Sequence, residues 1–148
     1  VQQMVEEHYR EIQTTTANGP YDELLRSISD TEIRRYLTGK SLEDWFLSNK
    51  EFVDTGRFLT LAGVTTENMV MVQAFSPDGL TCQVGETYLQ RHLLQYDPQT
   101  DAWQRIEIPD DGLLDGTQYL GVSVTELQYD QEDGRWKLAR YLQWIPRP

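Results

Sequence analysis

Residues 119–145, YLGVSVTELQYDQEDGRWKLARYLQWI, predict the last strand pair of the chain. Apolar and polar residues alternate on both sides of Asp133-Gly134, and Asp-Gly between alternating runs is among the strongest short-range hairpin signals. A three-residue loop over 132–134, with Gly134 in the left-handed conformation, would pair Gln131 with Arg135. We therefore predict two long antiparallel strands in this part of the chain.

That register sorts the hairpin side chains onto two faces. One face is predicted to be apolar and to meet the core: Val122, Val124, Leu138, Leu142 and Trp144. Glu126 would lie directly across from Arg140 inside this apolar stripe. The opposite face is predicted to be exposed and amphipathic, which is typical of surfaces that contact other proteins. Its candidate interaction residues are Tyr119, Thr125, Tyr129, Lys137, Tyr141 and Gln143.

The charge of the chain limits its partners. Against 13 Lys and Arg residues stand 24 Asp and Glu residues, for a formal net charge of -11. Affinity for nucleic acid depends on cations that neutralise phosphates, so we expect no nucleic-acid partner, and anionic membrane surfaces are disfavoured for the same reason. No apolar run approaches the length of a membrane span, and we expect no membrane insertion by this segment.

Length and composition fit one domain over 1–148. The sequence begins with Val1 rather than Met, which is compatible with a domain excised from a longer chain. The single cysteine, Cys82, excludes an internal disulfide and occupies a strand position typical of a small buried apolar residue.

Hydrophobic periodicity divides the rest of the chain into helices followed by strands. Helical spacing predicts three helices, from about Gln2 to Thr15, from Tyr21 to Leu37 with a capped restart at Ser29, and from a capping box at Ser41 to Gly56. The period changes to two near Phe58, and we predict strands over 59–65, 68–75, 80–96 and 102–108 before the hairpin. This order predicts an α+β domain with three N-terminal helices on one face of a curved antiparallel sheet, whose centre is the closing hairpin.

The order of elements, the Tyr-Leu-Thr-Gly segment at 36–39 and the Gly-Arg-Trp-Lys-Leu strand start at 134–138 resemble the NTF2-like superfamily. Intermembrane-space-type and extracytoplasmic bacterial members share this look, and the resemblance slightly favours an extracytoplasmic over a cytoplasmic location. It implies a cone whose interior hosts isomerase or dehydratase chemistry in some members and only a ligand or partner in others. The fold therefore leaves the function open.

The candidate pocket residues are those that would point into such a cone: Glu126, Arg140, Glu86, Tyr88 and His92, the last three only if strand alternation survives a bend near Gly85. An arginine across the ladder favours a charged Glu126 and argues against a catalytic base there. No zinc-ligand spacing, phosphate loop or nucleophile elbow is present, and Asp110, Asp111 and Asp115 lack calcium-loop spacing. We expect neither metal nor cofactor.

Two functions remain open at this point. We favour a non-catalytic interaction or ligand-binding domain that contacts a protein, or a second copy of itself, through the outer sheet face. The alternative is a cone enzyme of the isomerase or dehydratase type that takes a small hydrophobic substrate, with Glu86, Tyr88 or His92 as the acid-base group. An open pocket with a free inward carboxylate or histidine would favour the enzyme.

Overall fold

The computed structural model describes residues 1–57, 59–106 and 121–146, and in this part of the chain four helices precede five strands. The helices are α1 (Gln2–Thr16), α2 (Tyr21–Ser27), α3 (Asp30–Ile33) and α4 (Gly39–Thr55). The strands are β1 (Leu61–Gln73), β2 (Thr81–Asp97), β3 (Ala102–Ile106), β4 (Gly121–Asp130) and β5 (Arg135–Pro146). The predicted α+β class is confirmed, although the second predicted helix is divided into α2 and α3.

The observed helix ends show which of the predicted capping residues are correct. Ser29 caps α3, since its hydroxyl accepts the Glu32 backbone N–H at 3.1 Å, as the sequence predicts. Gly56 ends α4 in the left-handed conformation. The predicted cap at Ser41 is wrong, because α4 begins two residues earlier, at Gly39. A backbone hydrogen bond from Thr38 N–H to the Leu138 carbonyl, 2.9 Å, ties the chain to β5 just before this helix.

All five strands belong to one antiparallel sheet with the order β1-β2-β4-β5, and β3 pairs with the far end of β2. The closing hairpin was predicted to form the centre of the sheet, and this is wrong. β2 and β4 are central, and among the described residues β5 is an edge strand, on which Leu37 forms an isolated parallel bridge with Leu138.

Strand β1 is continuous where the sequence predicts two strands. Its ladder with β2 shifts register at Thr66 on one side and at Leu89 on the other. The Asn18 side chain hydrogen-bonds both backbone groups of Thr65 on the edge of β1. It accepts the Thr65 N–H at 2.7 Å and donates to the Thr65 carbonyl at 3.2 Å. The segment after α1 is thereby fixed to the edge of β1.

The hairpin of β4 and β5 closes with a four-residue turn in place of the predicted three. Asp130 pairs with Arg135, and the Asp130 carboxylate accepts the backbone N–H groups of Glu132 and Asp133 at 2.9 and 3.2 Å. Gly134 adopts the predicted left-handed conformation, with φ +65°. The Asp130 carboxylate favours the longer turn, because its two hydrogen bonds hold the turn backbone in this conformation.

Two further register shifts on β5 decide which side chains face the helices. Glu126 does pair with Arg140, as predicted, but Val122 pairs with Ile145 and Val124 with Gln143, where the prediction has Trp144 and Leu142. The shifts fall at Ala139 and Leu142, each of which adds one residue to β5. Such an insertion moves every later side chain to the other face.

The four-residue turn pairs Leu127 with Leu138, where the prediction has Gln128, so the predicted face assignment of β4 was inverted. Thr125 and Leu127 are fully buried, whereas Val122, Val124 and Glu126 are only partly buried on the outer face. The inner face packs against the helices around a core that includes Val5, Tyr9, Ile12, Ile33, Trp45, Val84, Leu127, Trp136 and Leu138. Cys82 is buried in this core, as predicted, and its burial raises the pKa of the thiol to about 11.

None of the helices among the described residues combines the length and apolar character needed to cross a membrane.

Candidate functional site

A polar pocket of about 260 Å³ lies between α1 and the inner face of the sheet. Its lining comes from α1, from the segment that follows it and from strands β1, β2 and β5: Tyr9, Arg10, Gln13, Thr14, Ala17, Asn18, Tyr21, Thr65, Thr66, Asn68, Glu86, Tyr88, Arg91 and Tyr141. Two of the predicted pocket residues, Glu86 and Tyr88, are among them. The alternation of β2 from Cys82 through Val84 brings both onto the inner face.

Glu86 is buried at the base of the pocket, and hydrogen bonds satisfy both of its oxygens. The Tyr9 hydroxyl donates to Oε1 at 2.6 Å, and the Asn68 amide donates to Oε2 at 2.6 Å. The Gln13 amide donates to the Tyr9 hydroxyl at 2.8 Å, and Arg10 donates to the Asn68 side-chain oxygen at 2.7 Å. This carboxylate is held by fixed donors, so it differs from the free inward base that the enzyme hypothesis requires.

Burial and the nearby carboxylate keep the tyrosine hydroxyls of the pocket protonated. Burial, with added repulsion from Glu86, raises the pKa of Tyr9 well above its usual value. Burial also raises the pKa values of Tyr21 and Tyr88. Tyr141 is 56% exposed as a whole residue, but its hydroxyl end lies beside Gln13 and Tyr21, and this local burial raises its pKa as well. The hydroxyls therefore remain hydrogen-bond donors at neutral pH.

His92 does not reach the pocket, and Arg91 takes its place. The register shift at Leu89 reverses the alternation of β2, so that Arg91 joins the inner face and His92 the outer one. The Arg91 guanidinium packs over the Tyr88 ring, 4.6 Å from its centre. The prediction of His92 required unbroken alternation along β2, and that pattern gives no sign of Arg91. Only the extra residue on each strand, which pattern alone does not reveal, places it there.

Glu126 and Arg140 lie outside the pocket, on the outer face of the sheet. Arg140 donates to the Glu126 carboxylate through Nε and Nη2, each at 2.9 Å. More than half of the Arg140 side chain is exposed. The predicted pairing is thus correct, but its predicted place in the apolar stripe is wrong because β4 presents the other face to the core.

The predicted interaction face is also divided. Thr125 is fully buried, and its hydroxyl donates to the backbone carbonyl of Val84 at 3.4 Å. Tyr129 packs against the core beside Trp136, and Tyr141 faces the pocket. Lys137 stays on the outer face but is 4% exposed, since Asp130 and Asp133 hold its ammonium at 2.8 and 2.5 Å.

Of the six predicted face residues, Gln143 alone is found exposed on the outer face, and Tyr119 lies outside the described residues. The outer face instead carries an apolar strip with side chains from three strands, β1, β4 and β5, on either side of Thr87 and Gly85 of β2. Met69 and Met71 of β1 are 60% and 63% exposed, and the ladder continues from them through Thr87 and Gly85 to Val122 and Val124. Ile145, 44% exposed, extends the strip onto β5.

The outer-face strip is defined here as Met69, Met71, Val122, Val124 and Ile145. The hydrophobicity of Val122 and Val124 is evident in the sequence, but the predicted register placed both residues in the core. Glu126 and Arg140, which neutralise each other, border the strip. The described strip itself carries no charge, in contrast to the acidity of the chain as a whole.

The residues described supply no group of three or more His, Cys, Asp or Glu side chains that could hold a metal ion. The acidic positions Asp110, Asp111 and Asp115 lie outside the described residues.

The fold has a solved counterpart, although sequence comparison finds none. No protein family model matches the chain, and no curated protein matches its sequence. The crystal structure of the intermembrane space region of the chloroplast protein ARC6 superposes with a TM-score of 0.60 at 17% identity. The match covers 99% of this chain and 98% of that one. At this identity the comparison shows that the two chains have a similar fold.

Proposed function

We propose that the chain is a single NTF2-like domain that acts as a non-catalytic protein-interaction module and contacts its partner through the outer-face strip. The observation that carries the proposal is an uncharged surface with apolar side chains from three strands, β1, β4 and β5, in a chain with net charge -11. The helices pack on the opposite face, so no described helix covers the strip. Contiguous exposed apolar surface on a soluble domain is typical of interaction sites.

The chemistry of the pocket argues against the alternative of an isomerase or dehydratase. Glu86 is engaged by two hydrogen bonds of 2.6 Å, and His92 is on the other side of the sheet. A general base has to reach a substrate proton, and neither of these residues is free to do so in this arrangement. Tyr88, the third candidate, lines the pocket, but burial raises the pKa of its hydroxyl, which makes it a poor base at neutral pH. The fold neighbour is named as a region of a chloroplast protein in the intermembrane space, which is compatible with an interaction domain.

A matched pair of double variants tests the proposal. Met69→Asp/Met71→Asp places two charges in the strip, and Leu47→Asp/Val53→Asp places two charges on exposed positions of α4, 62% and 71% exposed. Both double variants change the net charge by the same amount, and both do so at solvent-accessible apolar positions. Crosslinking in an extract of the source cells captures the partners, and mass spectrometry identifies them. We expect the first variant to lose these partners and the second to retain them.

Light scattering over a range of protein concentrations separates self-association from binding to a different protein. A concentration-dependent mass that falls only with the β1 variant would identify a second copy as the partner. Equal capture and equal mass for wild type and both variants would contradict the proposal, since the strip would then be ordinary solvated sheet.

A further inference from the structure

A second cavity, of about 290 Å³, lies between α4, the end of α1 and strand β5. It adjoins the polar pocket, since Tyr141 lines both. Unlike that pocket, it has a mainly apolar wall, formed by Leu37, Trp45, Leu59 and Leu138. A concave site with apolar walls and few polar groups is typical of small-molecule binding.

The hydroxyl of Ser41 is a buried polar group of this lining without a partner. Ser41 is 8% exposed, and its Oγ makes no hydrogen bond within the described residues. It lies inside α4 rather than at its cap, on the same side of the helix as Trp45 and Ser48, which also line the cavity. A buried hydroxyl that lacks a partner is costly. Its three staggered positions allow the Ser41 hydroxyl to turn towards a group placed in the cavity.

The other buried polar groups of the lining are engaged within the protein. The Thr16 hydroxyl donates to the Ile12 carbonyl at 2.7 Å, and the Asp44 carboxylate pairs with Lys40 at 2.9 Å. The two tyrosines of the lining also have partners. Among the described lining residues, Ser41 therefore supplies the only unsatisfied buried polar group.

The charges around the cavity favour a neutral ligand. The described lining includes no Lys, Arg or His, so a bound carboxylate would be left without a cation. Asp44 is its single charged residue, and Lys40 already compensates that carboxylate, so no free charge is offered to a cation. An apolar body would remove the apolar wall from water, and one hydroxyl group would complete the hydrogen bonding of Ser41.

We propose that this cavity binds a small neutral molecule with an apolar body and one hydroxyl group, which hydrogen-bonds with Ser41. The site lies between the helices and the sheet, on the side opposite to the outer-face strip. It therefore stands or falls independently of the protein contact proposed above.

Isothermal titration calorimetry with p-cresol tests the assignment. Toluene serves as the probe without the hydroxyl, p-toluate as the anionic probe and p-methylbenzylamine as the cationic probe. We expect wild type to bind p-cresol more tightly than any of the other three. Ser41→Ala should weaken p-cresol binding by about fivefold without weakening toluene binding, because one neutral hydrogen bond is lost. Ser27→Ala, which changes an exposed serine of α2, should leave both affinities unchanged.

Ser48→Phe supplies a variant that blocks the cavity. Ser48 is half-buried on the cavity side of α4, so a phenyl ring at this position would occupy the space. We expect this variant to lose p-cresol and toluene alike. Leu47→Phe, at a position of the same helix that is 62% exposed, should retain both. Circular dichroism and urea melts confirm the fold of each variant.

Three results would overturn the proposal. They are no binding of p-cresol by wild type, an unchanged p-cresol affinity in Ser41→Ala, and tighter binding of toluene or of either charged probe. If Ser48→Phe does not fold, Ser41→Ala decides the outcome, since removal of an unsatisfied hydroxyl leaves the fold intact.

Discussion

At the scale of single residues, the Glu86 carboxylate shows how a buried charge is retained inside this sheet. It is 3% exposed, and two side chains on different elements, Tyr9 on α1 and Asn68 on β1, each donate to it at 2.6 Å. The sequence predicts that Glu86 points inward, but it gives no sign of these donors. They come from positions 77 and 18 residues away in the chain.

Tyr9→Phe should therefore destabilise the protein. The substitution removes the donor to a buried charged acceptor while it keeps the ring in the core, and we expect the free energy of unfolding to fall by about 1.5–3 kcal/mol. Urea denaturation measures the loss. Tyr96→Phe removes a hydroxyl that donates to the exposed Asp101 carboxylate and should cost less. Equal losses for the two variants would contradict the view that Glu86 depends on Tyr9.

His8 makes the stability of the domain depend on pH. Its Nδ1 accepts the Trp136 backbone N–H at 3.1 Å, and burial, together with Arg135, lowers its pKa from 6.5. A histidine whose pKa is lower in the folded state stabilises the protein above the unfolded-state pKa. This contribution is lost as the pH falls below 6.5, because the unfolded chain binds the proton more readily.

We expect urea midpoints of wild type to fall more steeply between pH 7.5 and 5.5 than those of His8→Asn. Asparagine keeps an acceptor oxygen near the Nδ1 position and does not titrate, whereas the remaining ionisable groups are common to both proteins. Parallel pH profiles would show that His8 does not carry this dependence.

At the scale of secondary-structure elements, the turn between β4 and β5 depends on three charged groups. Asp130 caps the turn backbone and, together with Asp133, holds the buried ammonium of Lys137. The hydrogen bond from Lys137 lowers the pKa of Asp130. Burial by itself would lower the pKa of Lys137, but the hydrogen bonds to the two carboxylates outweigh it and raise that pKa. Local alternation of the strands contains no information about this network.

Asp130→Ala should destabilise the hairpin more than Lys137→Met does. Removal of Asp130 uncaps the turn and leaves the Lys137 ammonium with one carboxylate, whereas methionine replaces the lysine stem at similar volume and should change stability by less than about 1.5 kcal/mol. Urea melts of the two single variants and of the double variant measure the coupling. A larger loss for Lys137→Met would reverse this ranking.

At the scale of the whole molecule, Arg57 connects the helical layer to the end of the sheet. It follows α4, pairs with the buried Asp22 of α2 and packs over the rings of Tyr96 and Trp103, 3.5 and 5.5 Å from their centres. Asp22 is 4% exposed, and its second oxygen has no hydrogen-bond partner among the described residues. The Arg57 guanidinium is therefore the main compensation for that charge.

Arg57→Ala should lower the free energy of unfolding by about 3–5 kcal/mol, because it leaves a buried carboxylate without its cation. Chemical denaturation measures this loss. Addition of Asp22→Asn to the same variant should recover part of it, since the stranded charge is then removed. No recovery in the double variant would indicate that Arg57 stabilises the fold through its ring contacts alone.

The pairing of Glu126 with Arg140 matches the prediction only because the extra residue Ala139 in β5 offsets the extra residue in the turn. Local sequence pattern does account for the order of helices and strands, the closing hairpin and the inward position of Glu86. These follow from local period and turn chemistry, which neighbouring residues fix among themselves. Contacts between distant parts of the chain determine which face of β4 meets the helices, that Arg91 rather than His92 lines the pocket, and that β5 lies at an edge. Alternation shows that a strand has two different faces, but it does not show which face meets the helices. One extra residue at Leu89, Ala139 or Leu142 exchanges the two faces of the strand beyond it. The choice depends on the total contact that each face makes with the helices, which no single strand encodes.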